Sequence, residues 1–159
     1  MVYVDHSKVA PVYDENSKVL ILESIPSPKS REAGFYYAHP QNRFWRVVCE
    51  VLGEDVPDSN ECKKAIALKY NIALWDVLYS CDIQGASDGS IKNPVLNDFN
   101  IIFSCTDIRK VFATGLTASK LYQRLTGNDC IALPSTSPAN CRLKYEELLK
   151  AYSIIKEYI

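Results

Sequence analysis

The 159-residue chain lacks the long apolar segments that export a protein or anchor it in a membrane. Its longest purely apolar runs, such as residues 19–22, fall far short of the ~20 residues that span a bilayer. Asp5, His6 and Lys8 stand where a signal peptide would need its apolar stretch. We therefore expect a cytoplasmic protein with no membrane partner. A chain of this length can bury a sizeable core without covalent staples, which predicts a single domain over residues 1–159.

Histidine is scarce, and the cysteines are not closely paired. Only two histidines occur, His6 and His39, so a metal centre built on three histidines is impossible. The six cysteines stand at positions 49, 62, 81, 105, 130 and 141. No two of them form a C-x2-C or C-x4-C pair, which leaves zinc ribbons and the common iron–sulfur spacings without support. We therefore expect reduced thiols, no metal and no cofactor.

An excess of charge of one sign is also lacking. The 18 Lys and Arg residues against 19 Asp and Glu residues give a formal net charge of −1. This balance excludes a globally basic nucleic-acid coat protein, although it leaves room for a local basic patch. The composition, with 47% hydrophobic and 23% charged residues, is typical of a globular protein and excludes a disordered chain.

Short apolar runs alternate along the chain with segments of helical periodicity. Strands are predicted at residues 19–22, 72–75, 111–113 and 131–133. Helices are predicted over residues 42–52, 61–70, 94–105, 118–125 and 144–159, and loops over 23–40 and 80–93. This alternation predicts an α/β fold with a short, mainly parallel four-stranded sheet flanked by helices on both faces. Ligands of such sheets bind beyond the carboxyl ends of the strands, which singles out the loops 23–40 and 134–140.

The first of these loops, with its exit into the next helix, is basic and aromatic. Between residues 24 and 46 the only acid is Glu32, whereas the cations are Lys29, Arg31, Arg43 and Arg46. Aromatic rings interleaved with cations suit a nucleotide in a DNA strand. The alternative is that the rings belong to the core and the charges to a solvated rim. The second loop contains consecutive hydroxyls, which suit either a phosphate or a simple helix-capping turn.

Two segments in these loops resemble motifs of the uracil-DNA glycosylase superfamily. Residues 34–45 read Gly-Phe-Tyr-Tyr-Ala-His-Pro-Gln-Asn-Arg-Phe-Trp, and residues 135–140 read Ser-Thr-Ser-Pro-Ala-Asn. Within the superfamily the chain is most similar to the hypoxanthine (deoxyinosine) DNA glycosylase branch. It departs from other branches at Ile25, where most carry the Asn that positions the attacking water, and at Ala139, where many carry a Leu that wedges into the duplex. In the hypoxanthine branch the Asn of the longer motif, here Asn42, is the important catalytic amide.

This resemblance implies a uracil-DNA glycosylase-like fold and an activity in DNA repair. It implies a monofunctional glycosylase, acting as a monomer, that flips hypoxanthine out of DNA and hydrolyses its N-glycosidic bond. The product would be an abasic site. Two alternatives stay open: a mismatch-specific uracil or thymine glycosylase, and a non-catalytic DNA- or nucleotide-binding module with the same fold.

The resemblance also assigns candidate residues. Asn42 is the candidate catalytic residue, because a neutral amide can donate to the leaving base and accept from water; its alternative role is to cap the following helix. The candidates for base binding are Ser24, Ile25, Pro26, Tyr37, His39 and Ser135. The candidates for DNA binding are Ser27, Lys29, Ser30, Arg31, Thr136, Ser137, Ala139, Asn140 and Arg142. Asp76 and residues 87–90 are further candidates on the same edge, whereas Phe44 and Trp45 are assigned to the core.

Overall fold

The computed structural model describes residues 1–159 and contains two β-sheets. The strands are β1 (Val2–Asp5), β2 (Val19–Glu23), β3 (Ile72–Asp76), β4 (Leu78–Gln84), β5 (Ser87–Leu96), β6 (Lys110–Thr114) and β7 (Ile131–Leu133). Four of them form a sheet in the order β3-β2-β6-β7, in which every pairing is parallel. The other three form an antiparallel sheet in the order β1-β4-β5. The predicted α/β class and four-stranded parallel sheet are therefore confirmed.

Six α-helices accompany the sheets. They are α1 (Pro28–Ala33), α2 (Phe44–Leu52), α3 (Asn60–Lys69), α4 (Asn100–Phe103), α5 (Leu116–Thr126) and α6 (Tyr145–Tyr152), with 3-10 turns at Pro138–Asn140 and Ser153–Glu157. Helix α3 packs against β3, α5 against β6, and α2 against α6. None of these helices has the length and apolarity needed to cross a membrane.

The central strand β2 organises the sheet and brings polar groups to its carboxyl edge. Its four apolar residues are fully buried, as expected for a parallel strand covered on both faces. Glu23 at its end lies in register with Asp76 at the end of β3. On the other side, the Glu23 carboxyl is hydrogen-bonded to the hydroxyl of Thr114, the last residue of β6. Two carboxyls and a hydroxyl therefore form a row across this edge.

Several sequence predictions were wrong in the segment that follows β3. The predicted loop 80–93 lies within the hairpin of β4 and β5, and the predicted helix 94–105 shrinks to the four residues of α4. The hairpin turns at Gly85 and Ala86, where Gly85 adopts the positive φ of +58° that a tight turn favours. Strand β5 is largely exposed, so its side chains are polar and lack the apolar alternation expected of a strand.

Three smaller differences from the predicted elements also have local causes. Strand β1 was not predicted, because only one of its residues is fully buried. The short helix α1 interrupts the predicted loop 23–40: the Ser27 side chain caps its first turn, and Gly34 ends it with a φ of +68°. The last predicted helix is shorter than expected and continues as a 3-10 turn.

Candidate active site

A cavity of about 330 Å³ opens at the carboxyl edge of the parallel sheet. Both predicted loops contribute to its wall, and the β4–β5 hairpin closes one side. The sequence-predicted residues that line it are Ile25, Pro26, Ser27, Lys29, Ser30, Tyr37, His39, Asn42, Asp76, Asp88, Ser135, Ser137 and Ala139. The lining residues without a predicted role include Glu23, Tyr36, Ile83, Gly85 and Ala86. A volume of this size lies at the lower end of small-molecule sites.

The amide of Asn42 is held in a defined orientation at this cavity. Its side-chain oxygen accepts a hydrogen bond of 2.9 Å from the backbone N–H of Phe44, at the start of α2. The bond closes a short turn just before α2, whose N-cap position is Arg43, and it uses only the oxygen of the amide. The two N–H donors of the half-buried Asn42 make no hydrogen bond within the protein. Asn42 therefore satisfies the first N–H group of the helix and still presents donors to a ligand.

The ring of Tyr37 is fixed between the core and the cavity. One of its faces stacks on Phe44, with ring centroids 3.6 Å apart and planes 9° from parallel. Its hydroxyl lies 3.3 Å from the hydroxyl of Thr114. Its backbone has a φ of +55°, an uncommon conformation for a residue other than glycine and one often found at functional sites. Because Phe44 covers one face, only the opposite face is available to a planar ligand.

Arg43 joins the two loops that form the cavity. Its guanidinium donates hydrogen bonds of 2.6 Å to the carbonyl of Leu143 and 2.9 Å to the carbonyl of Asn140. Its backbone N–H donates to the carbonyl of Thr136. Arg43 is one of the basic residues of the first loop and its exit, but its side chain serves to position the second loop. Arg46, another of those cations, stacks over the ring of Tyr145 at 3.8 Å from the centroid.

Three carboxyls gather at the cavity. Burial raises the pKa of Glu23 well above its usual range, and the nearby carboxylates of Asp88 and Asp76 raise it further. Burial also raises the pKa of Asp88, whose carboxylate accepts a 2.8 Å hydrogen bond from the Ser24 hydroxyl. Burial likewise raises the pKa of Asp76. The acidic and basic side chains that line the cavity are therefore mostly carboxylic acids, although the first loop and its exit, which form much of the cavity wall, are rich in Lys and Arg.

Asp76 pairs with a histidine that the motifs did not identify. His6 Nε2 lies 2.5 Å from Asp76 Oδ2, and both side chains are almost fully buried. The other carboxylate oxygen, Oδ1, is buried and has no hydrogen-bond partner within the protein. Buried polar atoms are rarely left unpaired, so we expect an ordered water or a ligand atom to satisfy this oxygen.

The structure separates the predicted DNA-binding residues into three groups. Ser27, Lys29, Ser137 and Ala139 are at least partly accessible and line the cavity. Arg142 is exposed outside the cavity lining, and the amide of Asn140 donates to the carbonyl of Ser135. Three candidates have structural contacts or deep burial: Arg31 donates to the Pro26 carbonyl, Ser30 accepts from the Ala38 N–H, and Thr136 is fully buried.

Thr136 is fully buried, and its hydroxyl has no hydrogen-bond partner within the protein, so its contact with a phosphate stays a prediction of the sequence. The candidates for base binding also divide. Ser24 is buried behind the cavity wall, and its hydroxyl donates a hydrogen bond to Asp88, which lines the cavity. Ser135 lies in the wall itself, and its hydroxyl accepts a hydrogen bond from the Ser137 N–H. His39 accepts at Nδ1 from the Gln41 N–H, so its Nε2 carries the proton in the neutral ring.

The raised pKa of Glu23 predicts that its charge destabilises the fold. Between its usual pKa and the raised one, the folded state binds a proton that the unfolded state has lost, so stability falls as pH rises through that window. Glu23→Gln should therefore raise the melting temperature at pH 8 by a few degrees and change it little at pH 5. Thermal melts at both pH values test this, with Glu32→Gln on the exposed surface of α1 as the control. An equal shift at both pH values would contradict it.

Comparison with known proteins places the chain in a family. No protein-family model matches the chain. The hypoxanthine DNA glycosylase of Methanosarcina barkeri is 37% identical over 136 residues, which span 83% of this chain and 86% of the relative. The hypoxanthine DNA glycosylase of Methanosarcina acetivorans is 37% identical over 135 residues, covering 82% of this chain and 85% of the relative.

A solved structure agrees with this relationship. The solution NMR structure of a protein from Methanosarcina acetivorans, provisionally described as a uracil DNA glycosylase, superposes with a TM-score of 0.80 at 31% identity. The match covers 94% of this chain and 95% of the solved chain. With more than a third of the residues shared with two curated relatives over most of its length, the chain belongs to the hypoxanthine DNA glycosylase family.

Proposed function

We propose that the chain is a monofunctional DNA glycosylase that hydrolyses the N-glycosidic bond of hypoxanthine in DNA and leaves an abasic site. The observation that carries this proposal is the pairing of an oriented Asn42 amide with a Tyr37 ring, buried against Phe44, in the lining of one small cavity. A base inside a duplex cannot reach such a cavity, so the nucleotide must be flipped out of the stack. Family membership supports the same activity.

Asn42 is proposed as the catalytic residue. When the glycosidic bond breaks, negative charge develops on the departing base, and a fixed donor stabilises that charge without reorganisation. The hydrogen bond from Phe44 fixes the amide oxygen, which leaves the two N–H donors for acceptor atoms of hypoxanthine. Removing one such donor typically slows an enzyme by about 10²–10³.

The remaining base-binding candidates form the walls of the cavity. The free face of Tyr37 is proposed to stack on the flipped base, a contact that contributes roughly 1–3 kcal/mol. Ile25 and Pro26 limit the width of the cavity, and Ser135 lies on its far side. His39 can donate from Nε2 to the base or to a neighbouring phosphate.

The duplex is proposed to approach from the side of the two loops. Lys29 and Ser27 lie at one rim of the cavity, and Ser137 and Ala139 lie at the other. Lys29 is exposed and has one weak ionic neighbour, Glu32, at 3.5 Å. Action as a monomer stays a prediction of the sequence. A cytoplasmic location stays a prediction of the sequence.

An excision assay on defined oligonucleotides tests the proposal. Duplexes carrying a single deoxyinosine, uracil or xanthine would be incubated with the protein and then cleaved with alkali at abasic sites. We expect cleavage at deoxyinosine. Cleavage at uracil opposite guanine without cleavage at deoxyinosine would assign a mismatch-specific uracil glycosylase instead. A mobility shift without any abasic product would assign a non-catalytic binding module.

A further inference from the structure

Hydrolysis also needs a group that receives a proton from the attacking water. The first-loop side chains at the cavity do not supply it: Ile25 is apolar, the oxygen of Asn42 is committed to Phe44, and Nδ1 of His39 accepts from the backbone. The remaining acceptors with enough basicity are the three carboxyls. Their surroundings differ, and the difference selects one of them.

Asp76 alone among the three pairs with a potential cation. Glu23 is hydrogen-bonded to Thr114, and its burial favours the neutral form, which is a poor base. Asp88 accepts from the neutral hydroxyl of Ser24. Asp76 is bonded through Oδ2 to His6, a contact that favours the ionised carboxylate against the opposing effect of burial. A carboxylate kept charged beside a neutral acid is a pattern by which sites divide acid and base roles.

We propose that Asp76, positioned by its hydrogen bond to His6, is the general base that orients and deprotonates the attacking water. The inference rests on the glycosylase activity proposed above. Its geometric support is the unpartnered Oδ1, which belongs to a residue 1% exposed and lining the cavity. His6 lines a second cavity on the other side of the pair, together with Lys8 and Asn97. Asp76 is a catalytic residue in this proposal, and His6 is a positioning residue.

The step balances without any further reactant. The water oxygen bonds to the sugar C1′ as the C1′–N9 bond breaks, and the electron pair of that bond leaves with the base. The water proton passes to Asp76 Oδ1. The base, stabilised as an anion by Asn42, takes up a proton on release into solvent. Asp76 then returns its proton to solvent, either directly or through His6 and the second cavity.

The pH dependence follows from the groups that surround Asp76. They are His6 from the segment after β1, Glu23 from β2, Asp88 from β5, and Tyr36 and Tyr37 from the loop before α2. A general base must be ionised, so excision falls as pH drops through the pKa of Asp76. Because His6 lowers that pKa, removing His6 should move this acidic limb to higher pH.

Single-turnover excision of deoxyinosine across pH tests the assignment, with the wild-type rate in the same assay establishing the underlying activity. Asp76→Asn keeps the shape of the side chain and should slow excision by about 10²–10⁴ while leaving binding to the oligonucleotide in place. His6→Phe should shift the acidic limb to higher pH, and His6→Gln, which keeps a donor, should shift it less. Asp107→Asn, an exposed control, should change neither.

Three outcomes would overturn the proposal while leaving the glycosylase assignment intact. One is near-wild-type excision by folded Asp76→Asn. Another is a His6→Phe variant that is slower at every pH by the same factor, which would indicate a structural role only. The third is loss of the acidic limb in Asp88→Asn, which would make Asp88 the base. Absence of excision by the wild-type protein would instead refute the proposed function itself.

Discussion

Asn42→Asp should leave the protein as stable as the wild type and slow excision of deoxyinosine by about 10²–10³. The substitution keeps an oxygen that can accept from the Phe44 N–H, and Asp is among the preferred capping residues. It removes both N–H donors from the cavity. It also places a carboxylate where negative charge develops on the base. Single-turnover excision and a thermal melt on the same preparation measure the two effects separately.

Asn42→Ala provides the matched comparison. It removes the oxygen that accepts from the Phe44 N–H as well as the donors, so it should also lose about 1 kcal/mol of stability. In a chain of this size that loss corresponds to a fall of roughly 2–4 °C in melting temperature. If Asn42→Asp excised deoxyinosine at the wild-type rate while Asn42→Ala melted early, the residue would be a helix cap and the catalytic donor would lie elsewhere.

Arg43→Ala should lower both the melting temperature and the excision rate. The substitution removes the two hydrogen bonds from the guanidinium to the carbonyls of Leu143 and Asn140, and it leaves those carbonyls without partners. Hydrogen bonds from charged donors contribute about 1.5–3 kcal/mol each. At roughly 2–4 °C per kcal/mol in a chain of this size, we expect a drop of at least about 6 °C in melting temperature. Excision should fall at least tenfold, because residues 135–139 are no longer held at the cavity.

Two variants separate this positioning role from an electrostatic one. Arg43→Lys keeps the charge but cannot reproduce a two-pronged contact, so it should behave nearly as badly as Arg43→Ala. Arg46→Ala removes a neighbouring cation that is exposed and stacks on Tyr145, and it should change stability by about 0.5 kcal/mol or less. If Arg43→Ala kept its melting temperature but bound DNA more weakly, with the charge restored by Lys, the side chain would be a phosphate contact.

The parts of the fold that were predictable are those with a strong local pattern. Residues 19–22 form a continuous apolar run, and a fully buried parallel strand needs such a run. The string of residues 34–45 was long enough to predict Tyr37, His39 and Asn42 at one site, and all three line the cavity. The sequence allowed Asn42 to serve both the site and the start of the following helix, but the contact of its oxygen with the Phe44 N–H depends on atomic geometry.

The remaining site residues carry no local signal. His6 and Asp76 meet across 70 positions of sequence, and the contact arises because β1 pairs with β4 beside the parallel sheet. Glu23 directly follows an apolar run, and an acid at that place is typical of the start of a solvated loop. In the fold, however, Glu23 lies between the ends of β3 and β6. The polar composition of β5 suggested a loop because an exposed strand does not need alternating apolar residues.

The hairpin turn at Gly85 and Ala86 forms a part of the cavity wall whose length and sequence can change without moving the proposed catalytic residues. Both residues line the cavity, yet the turn belongs to the antiparallel sheet and not to the strand ends that carry Glu23 and Asp76. A β-carbon at Gly85 would meet no atom within 4 Å, so the tip projects into open space. Exposed turns of this kind accept changes in length more readily than strands do. Evolution or engineering can therefore alter the width of the entrance, and with it the size of base admitted, while the hydrolytic groups keep their places.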